Sequence, residues 1–113
     1  MALDPEIAAK VQPMPTGDGI DVAVEAAKDL RAMGLPCVAE DIEARIRLGE
    51  RKYGTRLKSH NGRDAMLDLY QEILDALNYS KQLVIEGKDD DTFFRCLVDI
   101  AAHVHAKLND PSQ

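Results

Sequence analysis

The stretch GRDAMLDLYQEILDALNYSKQLVIEG, residues 62–87, decides the fold. Met66, Leu69, Tyr70, Ile73, Leu77 and Val84 recur in it at the three- and four-residue steps that bring side chains onto one face of an α-helix. Asn61 is a fair N-cap, with Asp64 three residues on as an imperfect capping box, and Gly87 is a stop. The pattern predicts one long helix over about residues 62–86.

Working toward the C-terminus, Lys88-Asp89-Asp90-Asp91 reads as a solvated turn. A further helix is expected from about Asp91 to Leu108, with Phe93 or Phe94, Leu97, Ile100, Ala101, Val104 and Leu108 facing inward and Pro111 closing the chain. Toward the N-terminus, Thr55 to Gly62 is a loop of a length usual between bundle helices, if slightly long. Before it, a helix from about Pro36 to Tyr53 buries Val38, Ile42, Ile46 and Gly49, opened by Pro36 in its first turn and ended by Gly54. A first helix runs from Asp18 or Asp21 to Met33, with Val22, Ala26, Leu30 and Met33 as its stripe and Gly34 then Pro36 as its stop. Residues 1–17 contain Pro5, Pro13 and Pro15 and are expected to form an extended arm. No strand, repeat or low-complexity stretch is evident. The expected organisation is therefore an arm of residues 1–17 and one all-α domain of residues 18–110, a four-helix bundle. With five aromatics in the chain, the core of one copy is thin, so a symmetric dimer is expected.

Composition narrows the class. The 113 residues are 45% hydrophobic and 30% charged, an ordinary balance for one globular domain. No apolar run reaches the length of a membrane span, and the opening Met-Ala-Leu-Asp-Pro-Glu lacks the layout of a secretory signal. Cys37 and Cys96 are too far apart for a paired-cysteine metal site, give no disulfide framework and are read as small buried apolar residues in a cytoplasmic protein. His60, His103 and His105 assemble no site: His103 and His105, two apart on a helix, point in different directions. A net charge of −6 argues against general nucleic-acid binding, which draws on clustered Lys and Arg.

That charge is unevenly spread. Residues 51–63 hold Arg51, Lys52, Arg56, Lys58 and Arg63 and no acid, whereas residues 64–79 hold Asp64, Asp68, Glu72 and Asp75 and no Lys or Arg. Asp68, Glu72 and Asp75 stand at i, i+4 and i+7, one stripe of the long helix, where like charges repel. Near the helix start the dipole explains an acid such as Asp68; Glu72 and Asp75 lie beyond its reach. Hard divalent cations offset such repulsion, because they prefer carboxylate oxygens and keep positions for phosphate and water. A plain solvated acidic face is the competing explanation.

The preceding helix carries Glu40, Asp41, Glu43 and Glu50, of which Glu40, Glu43 and Glu50 can share a stripe with Arg47. Arg47 and Arg51 could simply pair with these acids. If the two helices pack antiparallel, their acidic stripes could build a metal pocket without histidine or cysteine.

Glu40-x-x-Glu43, followed after 28 residues by Glu72-x-x-Asp75, resembles the E-x-x-E … E-x-x-D signature of the all-alpha nucleoside triphosphate pyrophosphohydrolases, the MazG-like superfamily. Lys52-Tyr53-Gly54, Asn61-Gly62-Arg63-Asp64 and Asp68-x-Tyr70-Gln71-Glu72-x-x-Asp75 look similar to small phage-encoded MazG-like proteins. The likeness covers about residues 36–86. It implies four helices assembling as a dimer or dimer of dimers, in the host cytoplasm for a phage-encoded chain. It also implies hydrolysis of a (deoxy)nucleoside triphosphate to the monophosphate and pyrophosphate with Mg²⁺ or Mn²⁺. Glu40, Glu43, Glu72 and Asp75 would be the metal ligands, with Asp41, Glu50 and Asp68 as alternatives, and Glu43 and Glu72 the catalytic carboxylates. Lys52, Arg56, Asn61, Arg63, Asn78 and Tyr79 would meet the substrate.

The charges suit such chemistry. Attack on phosphorus needs an activated water and a neutralised triphosphate, which clustered metals supply, and a carboxylate can orient or deprotonate the water. Lys52, Arg56, Lys58 and Arg63 could complement pyrophosphate, or form a merely soluble loop. Tyr53 can stack on a base or, more often, pack beneath the loop, and Asn78 and Tyr79 can touch base or sugar or, more often, pack in the core or at the rim. A helical protein that sequesters a phosphorylated nucleotide without cleaving it is the alternative function, and a plain helical adaptor a third.

Overall fold

The computed structural model describes residues 12–14 and 19–110. Among them the chain forms four α-helices and no strand: α1 (Val22–Ala32), α2 (Pro36–Tyr53), α3 (Ala65–Ile85) and α4 (Thr92–Leu108). The all-α class read from the sequence is thus observed. The helices fall into two compact units, one built on Gln12–Arg63 and the other on the chain from Asp64 onward. Of the expected arm at 1–17, all but residues 12–14 lies outside the described residues.

The first unit is a hairpin of α1 and α2. Asp21 caps α1, its Oδ1 accepting from the Val24 amide at 3.2 Å. The chain reverses at Gly34, whose φ of 81° is open to glycine without strain. Pro36 then opens α2 where its missing N–H is no loss, and Gly54, left-handed at φ 78°, closes it with a bond to the Glu50 carbonyl. The buried side of α1 is Ala23 and Ala27, and that of α2 is Ala39, with Ile42, Ile46 and Gly49 half-buried. The expected α1 stripe is therefore rotated: Ala26 and Leu30 are half-buried, but Val22 and Met33 are exposed. Val38 is exposed too, one position before Ala39. Alanine favours these contact positions because a single methyl lets two helices approach closely, so the larger neighbours turn outward.

The second unit is a hairpin of α3 and α4. Ile73, Ala101 and Val104 form its core, with Met66, Tyr70, Leu77 and Leu108 packed against them. Leu67 and Ser80 are buried as well, the Ser80 hydroxyl donating to the Leu77 carbonyl at 3.0 Å. Lys81 Nζ lies 5.0 Å from the centre of the Phe94 ring, a cation–π contact between the helices. α3 begins at Ala65 rather than Gly62, and its cap is Asp64, which accepts from the Met66 and Leu67 amides. Asn61 is not the cap: its Oδ1 accepts from the Arg63 amide, and Gly62 is left-handed at φ 82°. That local turn must finish before helical geometry can start.

At the other end, Gly87 (φ 72°) reverses the chain, and the Lys88 amide reaches back to the Leu83 carbonyl at 2.8 Å. Asp90 accepts from both the amide and hydroxyl of Thr92 to start α4. Leu69 and Ile100, expected inside, are both 48% exposed; of the alternatives Phe93 and Phe94, Phe94 is half-buried and Phe93 is 57% exposed. No large side chain is fully buried among the described residues, so these hairpins bury little apolar surface. Among the described residues no helix is long and apolar enough to cross a membrane.

Candidate functional site

The residues that the sequence points to lie in two settings, a clasped basic loop in the first unit and an acidic stripe on α3 in the second.

The loop after α2 folds back onto the start of α1. The Val22 amide donates to the Leu57 carbonyl at 3.1 Å, and the Ser59 amide donates to the Ile20 carbonyl at 2.9 Å. Asp21 and Lys58 thereby form an isolated antiparallel bridge. The Ile20 amide also donates to Ser59 Oγ at 2.9 Å. Only glycine fits at position 19, because a Cβ there would collide with the Ser59 carbonyl group. Further along, Arg63 Nη1 donates to the Pro13 carbonyl at 2.8 Å.

Charges close the clasp. Arg56 Nε donates to Asp21 Oδ2 at 2.6 Å, and Lys58 Nζ is 4.0 Å from the same oxygen. Arg56 Nη1 stands 3.9 Å from Glu50 Oε1. The Arg56 bond holds the Asp21 carboxyl below its usual range, against the opposing effect of partial burial, and the Val24 amide and Lys58 add to it. The same bond raises Arg56. On the neighbouring turn, Arg31 Nη2 donates to Glu43 Oε1 at 2.5 Å; this bond lowers the Glu43 carboxyl and raises Arg31.

Four of the basic candidates therefore have identified partners: Arg56 and Lys58 bind Asp21, Arg63 binds Pro13, and Lys52 lies 5.2 Å over the Tyr53 ring. Of the α2 acids, Glu43 and Glu50 face arginines, whereas Glu40 and Asp41 are exposed. Asn61 is buried and spends its carbonyl oxygen on the turn toward Arg63, so it shapes the loop. His60 is exposed at a positive φ of 53°.

On α3, Asp68, Glu72 and Asp75 lie on the face turned away from the Ile73 and Leu77 core, as their spacing requires. Glu72 and Asp75 are exposed and Asp68 is half-buried. Tyr79 continues the same line one turn on and is 67% exposed, with Asn78 exposed beside it. The line then runs into Glu86, which accepts from Gln82 at 2.8 Å and pairs with Lys88 at 3.1 Å. Tyr79, for which packing in the core or at the rim is the stronger expectation, is a solvent-facing aromatic.

Carboxylate oxygens of this kind fit a hard cation such as Mg²⁺ or Mn²⁺ by donor type. Glu40, Glu72 and Asp75 are the exposed members of the expected ligand set, while Glu43 has one oxygen on Arg31. Within neither unit do three or more described His, Cys, Asp or Glu side chains gather as a ready cation site. Cys37 and Cys96 are free and exposed, not buried as the sequence suggests. His105 packs near Tyr70, ring centres 5.9 Å apart, while His103 is exposed.

Sequence reasoning missed the part Asp21 plays beyond its cap. It lies 35 residues from Arg56, so no local spacing announces the pair. Arg31 with Glu43 and Gly19 with Ser59 were missed for the same reason. No family model, curated protein or solved structure matches this chain.

Proposed function

We propose that the protein is a metal-dependent nucleoside triphosphate pyrophosphohydrolase, cleaving a (deoxy)nucleoside triphosphate to the monophosphate and pyrophosphate. The observation that carries this reading is the exposed pair Glu72 and Asp75, continuing the stripe from Asp68 on the outward face of α3, in a stretch, residues 64–79, whose sequence holds no Lys or Arg. The pattern Glu40-x-x-Glu43 … Glu72-x-x-Asp75, which resembles the MazG-like superfamily, supports it. In this proposal Glu72 and Asp75 of α3 would be ligands for Mg²⁺ or Mn²⁺, and Glu40 and Glu43 of α2 are the further ligands that the resemblance implies. Such ions, when bound, neutralise triphosphate charge and lower the pKa of water. Glu72 would orient the attacking water, and the resemblance gives Glu43 the other catalytic role, for which its oxygen must leave Arg31. Tyr79 and Asn78, exposed just beyond Asp75, receive the base and sugar. Lys52, Arg56 and Arg63 complement the phosphates, and Asn61 keeps their loop in shape. The exposed Leu69, Phe93 and Ile100 support assembly as a homodimer or homotetramer.

A panel of nucleoside and deoxynucleoside triphosphates incubated with Mg²⁺ or Mn²⁺, with products resolved by mass spectrometry, tests the proposal. Monophosphate and pyrophosphate from one or more substrates is the expected outcome; intact nucleotides throughout the panel contradict it.

A second reading, capture of a phosphorylated nucleotide without cleavage, is favoured by the Arg31–Glu43 bond, which occupies a carboxylate that catalysis needs. Calorimetry showing tight nucleotide binding in a sample that yields no product would select it.

A further inference from the structure

The clasp holds two cations on one anionic oxygen. Arg56 Nε at 2.6 Å and Lys58 Nζ at 4.0 Å both address Oδ2 of Asp21, while Oδ1 caps α1 through the Val24 amide at 3.2 Å. The three side chains keep 24%, 26% and 20% of their exposure, so the cluster opens to solvent. Among the described residues Asp21 bonds Arg56 through Nε, and the guanidinium's Nη1 stands 3.9 Å from Glu50 Oε1, with Glu43 adding a longer-range attraction. An arginine presented in this way matches the paired oxygens of a phosphate better than a single carboxylate oxygen does. Partly exposed ion pairs are held weakly, so a polyvalent anion can take the place of the carboxylate.

We propose that Arg56 and Lys58 form a binding site for a phosphate-bearing anion, and that Asp21 occupies it in the free protein and is displaced when the anion binds. The Oδ2 atom marks the position that a phosphate oxygen takes. Because the other oxygen of Asp21 caps α1, binding at the loop is coupled to the first turn of that helix: the ligand withdraws the cap as it displaces the carboxylate. Asp21 thus acts as an internal competitor that sets the affinity of the loop for phosphate. The inference rests on the proposed function only for the identity of the anion.

Inorganic pyrophosphate, titrated without divalent metal into the full chain, provides the test. Asp21→Asn is the informative variant, since asparagine caps a helix about as well as aspartate but brings no charge to Arg56. By calorimetry this variant should bind pyrophosphate roughly fivefold tighter or more, the lower end of typical coupling between competing events. Adding Arg56→Gln should remove the gain. In the unmodified protein, the amide resonance of Val24 should shift with pyrophosphate and saturate together with the Arg56 Nε–H signal, a measurement that needs no variant to fold. Equal or weaker binding by Asp21→Asn, no binding by either protein, or a Val24 amide unmoved at saturating pyrophosphate overturns the proposal. Such a failure leaves triphosphate hydrolysis standing. Conversely, a tighter Asp21→Asn with no hydrolysis of any nucleotide removes the enzyme and keeps the anion site.

Discussion

Arg31 and Glu43 meet at 2.5 Å, tying the last turn of α1 to the middle of α2. The same carboxylate closes the hairpin and, in the proposed function, would have to serve as a metal ligand. Replacing Arg31 with Gln separates them. The expected outcome is a small, salt-sensitive fall in melting temperature, because a pair this exposed adds little to stability. Pyrophosphate release should persist or rise as Glu43 is freed. Loss of release with an unchanged melting curve would place Arg31 itself in the chemistry.

Glycine substitutions separate close approach from helix propensity. Gly19→Ala pushes a methyl against the Ser59 carbonyl, so the 20–59 bridge must open, and amide exchange at Val22 and Ser59 should accelerate markedly. Gly49→Ala, in mid-helix with nothing within 4 Å of the new methyl, should instead stabilise by about 0.5–1 kcal/mol in a chemical denaturation series.

The start of α3 gives a similar contrast. Asp64→Ala removes the acceptor of the Met66 and Leu67 amides and should cost about 1 kcal/mol. That loss is readable as a lower denaturation midpoint at constant slope. A neutral result would return the cap to Asn61.

Acid should weaken the fold in a defined direction. Asp21 and Glu43 sit below their usual 3.8 and 4.5 because arginines hold them ionised, and Glu86 and Asp90 are lowered by Gln82 and Thr92. A folded carboxyl with a lowered pKa takes up its proton less readily than the unfolded one. Its stabilisation is therefore complete above these usual values and disappears as the pH falls through the lower, folded ones. Denaturation midpoints measured from pH 7 to pH 3 should be flat at first and then decline below about pH 4.5.

How much of this was legible in the sequence differs from element to element. The bounds of α2 could be read directly, because Pro36 and Gly54 act through their own backbones and need no partner. The start of α3 could not, since Asn61 and Asp64 are both competent caps and the choice falls to the turn that Asn61 makes with Arg63. The buried side of α1 was misjudged because alanine is weakly hydrophobic and the periodicity gave weight to Val22 and Met33 instead. At the candidate site, the outward acidic stripe of α3 followed from spacing alone. The neutralisation of the basic loop did not, because the pairing of Asp21 with Arg56 depends on where the chain returns 35 residues later.

The central claim is that Glu72 and Asp75 hold divalent ions for triphosphate cleavage, and pyrophosphate release by the unmodified protein and by Glu72→Gln in Mn²⁺ tests it most directly. The account predicts steady release from one or more nucleotides by the first and a loss of about 10² or more in the second, with both equally folded. Equal release by the two proteins, or none by either, would contradict it.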